Sequence, residues 1–317
     1  AEHEESATQR VFTEAVKRVA PSLVSVTVEW KPGKAVIPAQ AGQPAFERGN
    51  GPFSALVISE DGLIITSDFN VNSDARRIIV KLADGRTFDA EALGRDVSRG
   101  LQLLRVQADG LSVPEFAADE QVKVGRWALA CGVSEPDAPP TLSVGIVSAT
   151  GRITGRAIQI DALTNPGNYG GPLVDIEGRV MGILTPLTPS GTRGGISLYD
   201  SGVGFAVPVT DIREQLPKLK AGEVIRSAFL GIRFDMRKLS GGATVVEVLS
   251  DTGAAKAGIR PGDVIIEFNG EPIDTSFKLL YAIGKCRVGE VVKFKVIRNG
   301  GELDLTATLG ARPERSR

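Results

Sequence analysis

The residue this sequence has least of is histidine. Among 317 residues there is a single one, His3, in a polar stretch at the start. Imidazole titrates near neutrality and serves as the commonest general base and metal ligand. A chain whose sole imidazole lies outside any expected core has little access to either use. Cysteine is almost as scarce. Cys131 and Cys286 stand far apart, which indicates neither a disulfide framework nor a thiolate metal site. An excess of one charge is missing too: 37 Lys and Arg face 38 Asp and Glu, leaving a net charge of -1. That balance argues against a surface built as a whole for nucleic acid or an anionic membrane. No apolar run approaches the ~18 residues of a membrane span. The sequence opens on Ala1 without an apolar leader, so a targeting segment is expected to have been removed or left out.

What is present is ordinary globular material. A composition 42% hydrophobic and 24% charged excludes wholesale disorder, and the length suggests two domains. Val11, Phe12, Ala15, Val16 and Val19 recur at helical spacing until Pro21 ends the run. Residues 22–29 alternate as a strand, and 31–51 read as a flexible Gly- and Pro-rich loop. From 53 to about 209, short apolar runs (55–58, 63–66, 77–82, 101–106, 127–131, 180–184, 203–207) are punctuated by turn residues, the pattern of a barrel or sandwich. Residues 210–220 form a helical connector, with Asp211 and Glu214 as its expected N-terminal cap and Pro217 and Gly222 marking its end. Beyond it, strand candidates at 245–248, 264–268, 291–297 and 303–308 surround one helix at about 275–285, and Pro261-Gly262-Asp263 and Asn299-Gly300-Gly301 supply turn chemistry. The expected organisation is an N-terminal helix and arm (1–21), a β domain (22–209), a linker helix (210–226), a second domain (227–311) and a charged tail (312–317).

The most informative stretch is Gly167-Asn168-Tyr169-Gly170-Gly171-Pro172-Leu173. A Gly-Asn-x-Gly-Gly loop is expected to expose consecutive backbone N–H groups, the arrangement an oxyanion hole requires. It resembles the nucleophile loop of the HtrA/DegP/DegQ family of trypsin-fold serine proteases, where x is serine. Segments 61–66 (DGLIIT), 142–151 (LSVGIVSATG), 158–171 (IQIDALTNPGNYGG) and 202–208 (GVGFAVP) fall in that family's order and spacing. The resemblance implies a mostly β protein, a chymotrypsin/trypsin-like double β-barrel followed by a PDZ domain. For the second part it rests on residues 254–266 (AAKAGIRPGDVII), Asn269-Gly270 and Phe229-Leu230-Gly231-Ile232, which resembles a carboxylate-binding loop. In such a domain a peptide C-terminus adds as a strand while backbone N–H groups hold its carboxylate.

The family pattern fails at the catalytic positions. Phe69 stands where the resemblance expects histidine, Gly100 where it expects aspartate, and Tyr169 where it expects the nucleophile. A serine hydroxyl needs a base to take its proton, and that base needs an acceptor to hold it in one tautomer. Loss of such a triad removes about 10⁶ in turnover, roughly 8 kcal/mol of barrier. The sequence therefore leads to the expectation of a pseudoprotease with no enzymatic activity, acting as a peptide-binding scaffold, a chaperone-like holder or a regulatory partner in protein quality control. The alternatives are a serine endopeptidase with an unusual catalytic apparatus, including a Ser–Lys dyad with no pair singled out, and an inactive subunit of an active paralogue. Partners implied by the resemblance are protein or peptide C-termini, a homotrimer or a hetero-assembly with active paralogues; the expected location is periplasmic or otherwise extracytoplasmic. No cofactor is expected.

The remaining candidates have plainer readings. Tyr169 is read as a ring filling the space beside Phe69, with a ligand-contacting patch of the two aromatics as the alternative. Cys131 and Cys286 are read as small buried residues, and Phe277, Leu280 and Ile283 as the inward face of the helix at about 275–285. Arg76 and Arg77 form an exposed pair without an obvious partner. Glu2, Glu4 and Glu5 with His3 offer at most weak chelation, and no fold-held ligand set is visible. Phe53-Ser54-Ala55 replaces the family's Gly-Ser-Gly segment, so packing near the triad positions is expected to differ.

Overall fold

A computed structural model describes residues 6–34, 36–37, 46–47, 49–133, 138–187, 202–235, 237–238 and 240–313. It divides between Ile225 and Arg226 into two compact units.

In the first unit, β-branched alternation produces two closed antiparallel barrels. Strand Leu23–Trp30 pairs with Phe53–Val57 on one side and Ala75–Lys81 on the other. Thr87–Asp96, Leu101–Val106 and Leu63–Ser67 complete the first ring. The second ring runs Thr141–Gly151, Ala157–Ile160, Gly204–Pro208, Val180–Leu184, Pro172–Val174 and Trp127–Gly132. This is the double barrel expected from the sequence. The two-residue period of a strand explains how the barrels are both filled and joined. Ala55, Val57 and Ile64 turn into the first barrel with Val24, Val26 and Val28. Their neighbours Leu56, Leu63 and Ile65 turn the other way and cluster with Leu129, Cys131, Val174 and Val180 of the second barrel. Each such fully buried Val, Leu or Ile side chain contributes about 1.5–3 kcal/mol.

Two helices seal the inter-barrel core. Helix Ala7–Val19 begins at Ser6, whose hydroxyl accepts from the Gln9 N–H at 3.2 Å, and it sends Ala15 and Val19 into that core. Helix Val209–Lys220 contributes Val209, Ile212 and Leu219. Its start corrects the sequence expectation. Pro208 holds the cap position without a side-chain hydrogen bond. The Asp211 carboxylate instead accepts from Arg99 Nε at 2.8 Å, while burial pushes its pKa up against the pull of Arg99. Pro217 lies within the helix and Ala221 closes it. Arg77 is not unpartnered either: it pairs with Asp89 at 2.7 Å and Glu29 at 3.7 Å.

The second unit is a sheet ordered Ile232–Phe234, Ala243–Val248, Val264–Phe268, Val291–Arg298 and Gly301–Thr308, with Glu271–Pro272 joined to Val264–Phe268. Asn299 and Gly300 take left-handed φ values of 50° and 81° between the paired residues Arg298 and Gly301, the tight hairpin that Asn-Gly favours. Asp263, from the Pro-Gly-Asp turn, is buried and accepts from Arg298 Nε and Nη2 at 2.8 and 2.7 Å and from the Arg260 N–H at 2.8 Å. Helix Ser276–Lys285 is capped by Thr275. Its inward residues are Leu279 and Ile283, whereas Phe277 is 61% exposed. The expectation for Phe277 is thus corrected: at 3.6 residues per turn, two steps of three leave Phe277 about 120° round the helix from Ile283 and off the face that meets the sheet.

Candidate functional site

Two glycine-containing loops were expected to offer backbone donors, and the structure treats them in opposite ways. The first, 165–171, folds back on itself. Asn165 Oδ1 accepts from the Gly167 N–H at 2.8 Å, and Asn168 Oδ1 accepts from the Asn165 N–H at 2.8 Å. The Asn165 carbonyl takes the N–H groups of Asn168 and Tyr169 at 3.0 and 3.2 Å. Gly170 N–H donates to Leu184 O and Gly171 N–H to Asn168 O, both at 2.8 Å. Every N–H from Gly167 to Gly171 is therefore engaged within the protein. The expected open row of donors is closed, because the two Asn side chains of the Asn-Pro-Gly-Asn turn draw the backbone inward. Gly170 has φ +90°, and a Cβ there would collide with Ser54 O and Thr66 Oγ1. Ser54 Oγ clamps the loop from the first barrel, donating to Gly167 O at 2.5 Å and accepting from the Val133 N–H at 2.8 Å.

The three expected triad positions converge beside this loop. Strand Leu63–Ser67 ends there, and Asp68 N–H donates to Gly100 O at 2.9 Å. The rings of Phe69 and Tyr169 meet edge to face, 5.8 Å between centroids at 81°. Asn70 Nδ2 donates to Tyr169 O at 2.7 Å. Tyr169 is only 5% exposed. A Cβ on Gly100 would stand in ordinary contact, 3.5 Å from Asp68 Oδ1 and 3.8 Å from the Thr185 Cβ. Phe69 supplies no proton acceptor, Gly100 no side chain, and Tyr169 a phenol whose ordinary pKa is about 10. Asp68 and Asn70, both buried here, escaped the sequence reading. Their signal was adjacency to Phe69, which has meaning only once the barrels are assembled.

Burial pushes the Cys131 thiol up to about 12, consistent with an inert apolar position. Cys286 is only half-buried, yet burial together with nearby Glu290 also pushes it up to about 12. No cluster of metal-ligating residues occurs among the described residues; His3 and its neighbouring glutamates lie outside them.

The second loop is open. Leu230 O accepts from the Ala254 N–H at 3.0 Å and Gly231 O from the Leu249 N–H at 2.8 Å. With both carbonyls turned away, the N–H groups of Leu230 and Gly231 have no partner among the described hydrogen bonds. Gly231 has φ +89°, and a Cβ there would strike the side chain of Thr252. Thr252 holds the loop's surroundings in place. Its hydroxyl donates to Leu249 O at 2.7 Å and accepts from Ala255 N–H at 3.4 Å, capping helix Gly253–Lys256. Thr252 was also missed, although a threonine before Gly-Ala-Ala is a cap signal. Beyond the loop, Ile232–Phe234 is the edge strand of its sheet, paired among the described residues only with Ala243–Val248. Ser276 Oγ donates to Asp235 O at 3.5 Å, bringing the start of helix Ser276–Lys285 to the end of this edge.

Comparison with known proteins agrees with this geometry. Residues 53–183 match the model of the trypsin-like peptidase domain and 228–309 that of the PDZ domain. A probable periplasmic serine endoprotease, DegP-like, of Hahella chejuensis is 32% identical over 95% of this chain and 70% of its own length. Its counterpart in Marinomonas sp. is 33% identical over 95% and 71%. The chain belongs to the HtrA/DegP-like serine endoprotease family.

Solved structures place the HtrA-like fold beside the serine endoprotease from Yersinia pestis (TM-score 0.73, 29% identity, covering 95% of this chain and 98% of that one). The HtrA-type protease AlgW with a decapeptide is similar (TM-score 0.74, 29%, 96% and 99%). These relatives correct the expectation that the chain is no enzyme. Proteins about one-third identical across nearly its whole length carry the name serine endoprotease, so kinship assigns this HtrA-like chain to an enzyme family. That expectation weighed three side chains alone against the rest of the sequence.

Proposed function

We propose that this HtrA-like protein is an extracytoplasmic quality-control protein that captures polypeptides by their free C-termini. The incoming peptide pairs along the edge Ile232–Phe234, with its carboxylate on the N–H groups of Leu230 and Gly231. The observation that carries this reading is the pair of unengaged donors beside an unpaired strand edge. Backbone pairing supplies affinity, and the charged acceptor strengthens both hydrogen bonds. The test is a fluorescence-anisotropy titration of the full chain with free-acid hexapeptides ending in Val, Leu, Ile or Phe. Binding is expected at micromolar concentrations and should weaken at least about tenfold in Gly231→Ala, where the added methyl meets Thr252. Absence of binding by every peptide below ~1 mM overturns the proposal.

A second reading concerns the double barrel. The names of the relatives favour endoproteolysis, and the chemistry at Phe69, Gly100 and Tyr169 requires that such a reaction here use groups other than Ser–His–Asp. Purified protein incubated with unfolded casein and a fluorophosphonate probe tests this. Cleavage and labelling that vanish together on one serine substitution support it; intact casein and an unlabelled protein overturn it.

A further inference from the structure

The first unit carries a cleft of about 640 Å³ that none of Phe69, Gly100 and Tyr169 lines. Its walls are apolar and held by the backbone. Leu23, Val57, Leu82 and Leu111 line it and are buried. The Leu82 N–H donates to Arg86 O at 2.8 Å, Leu82 O accepts from the Gly85 N–H at 3.0 Å, and the Leu111 N–H donates to Glu60 O at 3.3 Å. One polar group interrupts this lining. Ser25 is only 7% exposed, and its hydroxyl has no hydrogen-bond partner among the described residues. Burying an unpartnered hydroxyl is unfavourable, and a β-branched apolar residue suits a strand better. The register shows what stands beside it. Ser25 pairs with Ser54 on one side and Lys81 on the other, and directly paired residues share a face. Ser54 Oγ donates to Gly167 O and accepts from the Val133 N–H. Lys81 is engaged within the protein, and at the rim Arg86 is held by Asp84 at 2.7 Å.

We propose that this cleft is a binding site for a small neutral amphiphile, an aliphatic body with one hydroxyl or carbonyl group that hydrogen-bonds to Ser25. Small-molecule sites are typically clefts of about 300–1,000 Å³ with mostly apolar walls and a few placed polar groups. Leu23, Val57, Leu82 and Leu111 take the body out of water. Ser25 orients the head, donating to a carbonyl or serving as either partner to a hydroxyl. The electrostatics disfavour an ion. A head that reaches Ser25 leaves water, and the basic side chains nearby are already committed, so a charge there would gain no new partner. The inference is independent of peptide capture and of endoproteolysis, since neither Leu230 and Gly231 nor the triad positions take part.

The experiment follows amide chemical shifts of the full chain during titration with heptan-1-ol, heptanoate and heptylammonium, which share one body and differ in the head. The alcohol should bind at about 1 mM, with shifts centred on Ser25, Leu82, Leu111 and Val133, and at least about threefold more tightly than either ion. Ser25→Ala keeps the walls and removes the hydroxyl. It should weaken the alcohol about 3- to 10-fold and leave both ions within about twofold. Absence of saturable shifts by ~10 mM alcohol overturns the inference. So does equal binding of the three heads, and so does an alcohol affinity that Ser25→Ala leaves unchanged. Should Ser25→Ala fail to fold, the ranking of the three heads on the unsubstituted protein still decides the matter.

Discussion

The side-chain amide of Asn70 donates to the main-chain carbonyl of Tyr169 at 2.7 Å, linking residues 99 apart in sequence. The same nitrogen lies 3.4 Å from Pro166 O. One buried side chain on the first barrel thus fixes the backbone of the second barrel's loop. In Asn70→Ala the Tyr169 carbonyl loses its donor inside the protein, and a loss of about 1–3 kcal/mol is expected in urea denaturation. Asn70→Asp should be no better, since a carboxylate has nothing to donate.

Tyr169 and Phe69 meet edge to face in a nearly enclosed site. Removing the whole ring in Tyr169→Ala should cost about 3–5 kcal/mol, and Tyr169→Phe, which keeps the ring, no more than about 1.5 kcal/mol. Equilibrium unfolding of both variants checks this. A small loss in Tyr169→Ala would favour a ligand-contacting role over a packing one.

The combination Phe69→His, Gly100→Asp and Tyr169→Ser writes the family's triad back into the chain. Its casein hydrolysis should remain at least about 100-fold below that of an HtrA-type relative measured in parallel, because the Gly167 and residue-169 N–H groups are held by Asn165. One missing oxyanion donor alone is worth that much. Adding Asn165→Ala, which releases the Gly167 N–H, should raise the rate. A triple variant equal to the relative would show that the loop opens without help.

Asp263 and Arg298 give the second unit an acid-sensitive element. Burial acts to raise the Asp263 carboxyl, but the hydrogen bonds from Arg298 and the Arg260 N–H outweigh it and leave the pKa below the usual 3.8. A depressed carboxylate contributes stability above its unfolded pKa and loses it as the pH falls through the folded value. The contribution should therefore be complete at pH 7 and fade below about pH 4. Arg298→Ala should cost about 2–4 kcal/mol at pH 7 by leaving the carboxylate uncompensated. The deficit should narrow on acidification as that carboxyl protonates. Amide exchange at Val292 and Phe294, followed from pH 7 down to pH 3, reads both effects.

Much of this architecture was legible in the sequence because the decisive signals were local. The Asn299-Gly300 turn and the 264–268 strand depend on residues adjacent in sequence, and both appear as expected. What was misread depends on distant partners. Asp211 looked like a cap because Glu214 follows it, but its real partner, Arg99, lies 112 positions earlier. The 167–171 loop has the composition of an oxyanion hole. Whether its N–H groups face out or in is settled by Asn165, by Leu184 O and by Ser54 reaching over from the other barrel. Thr87–Asp96 carries too few apolar residues to announce a strand, yet it pairs with neighbours on both sides and closes the first ring. Phe69, Gly100 and Tyr169 were picked out as a set by the order of family segments, and the fold brings them together beside the 165–171 loop.

The helix that precedes the barrels has a practical bearing. Ala15 and Val19 are fully enclosed, and Arg18 reaches across to Glu177 O at 2.9 Å. Trimming the chain at Pro21, the boundary composition alone would recommend, would remove Ala15 and Val19 from a core that both barrels share and let water into it. An expression design for the double barrel should therefore carry this helix as masonry, not as a leash.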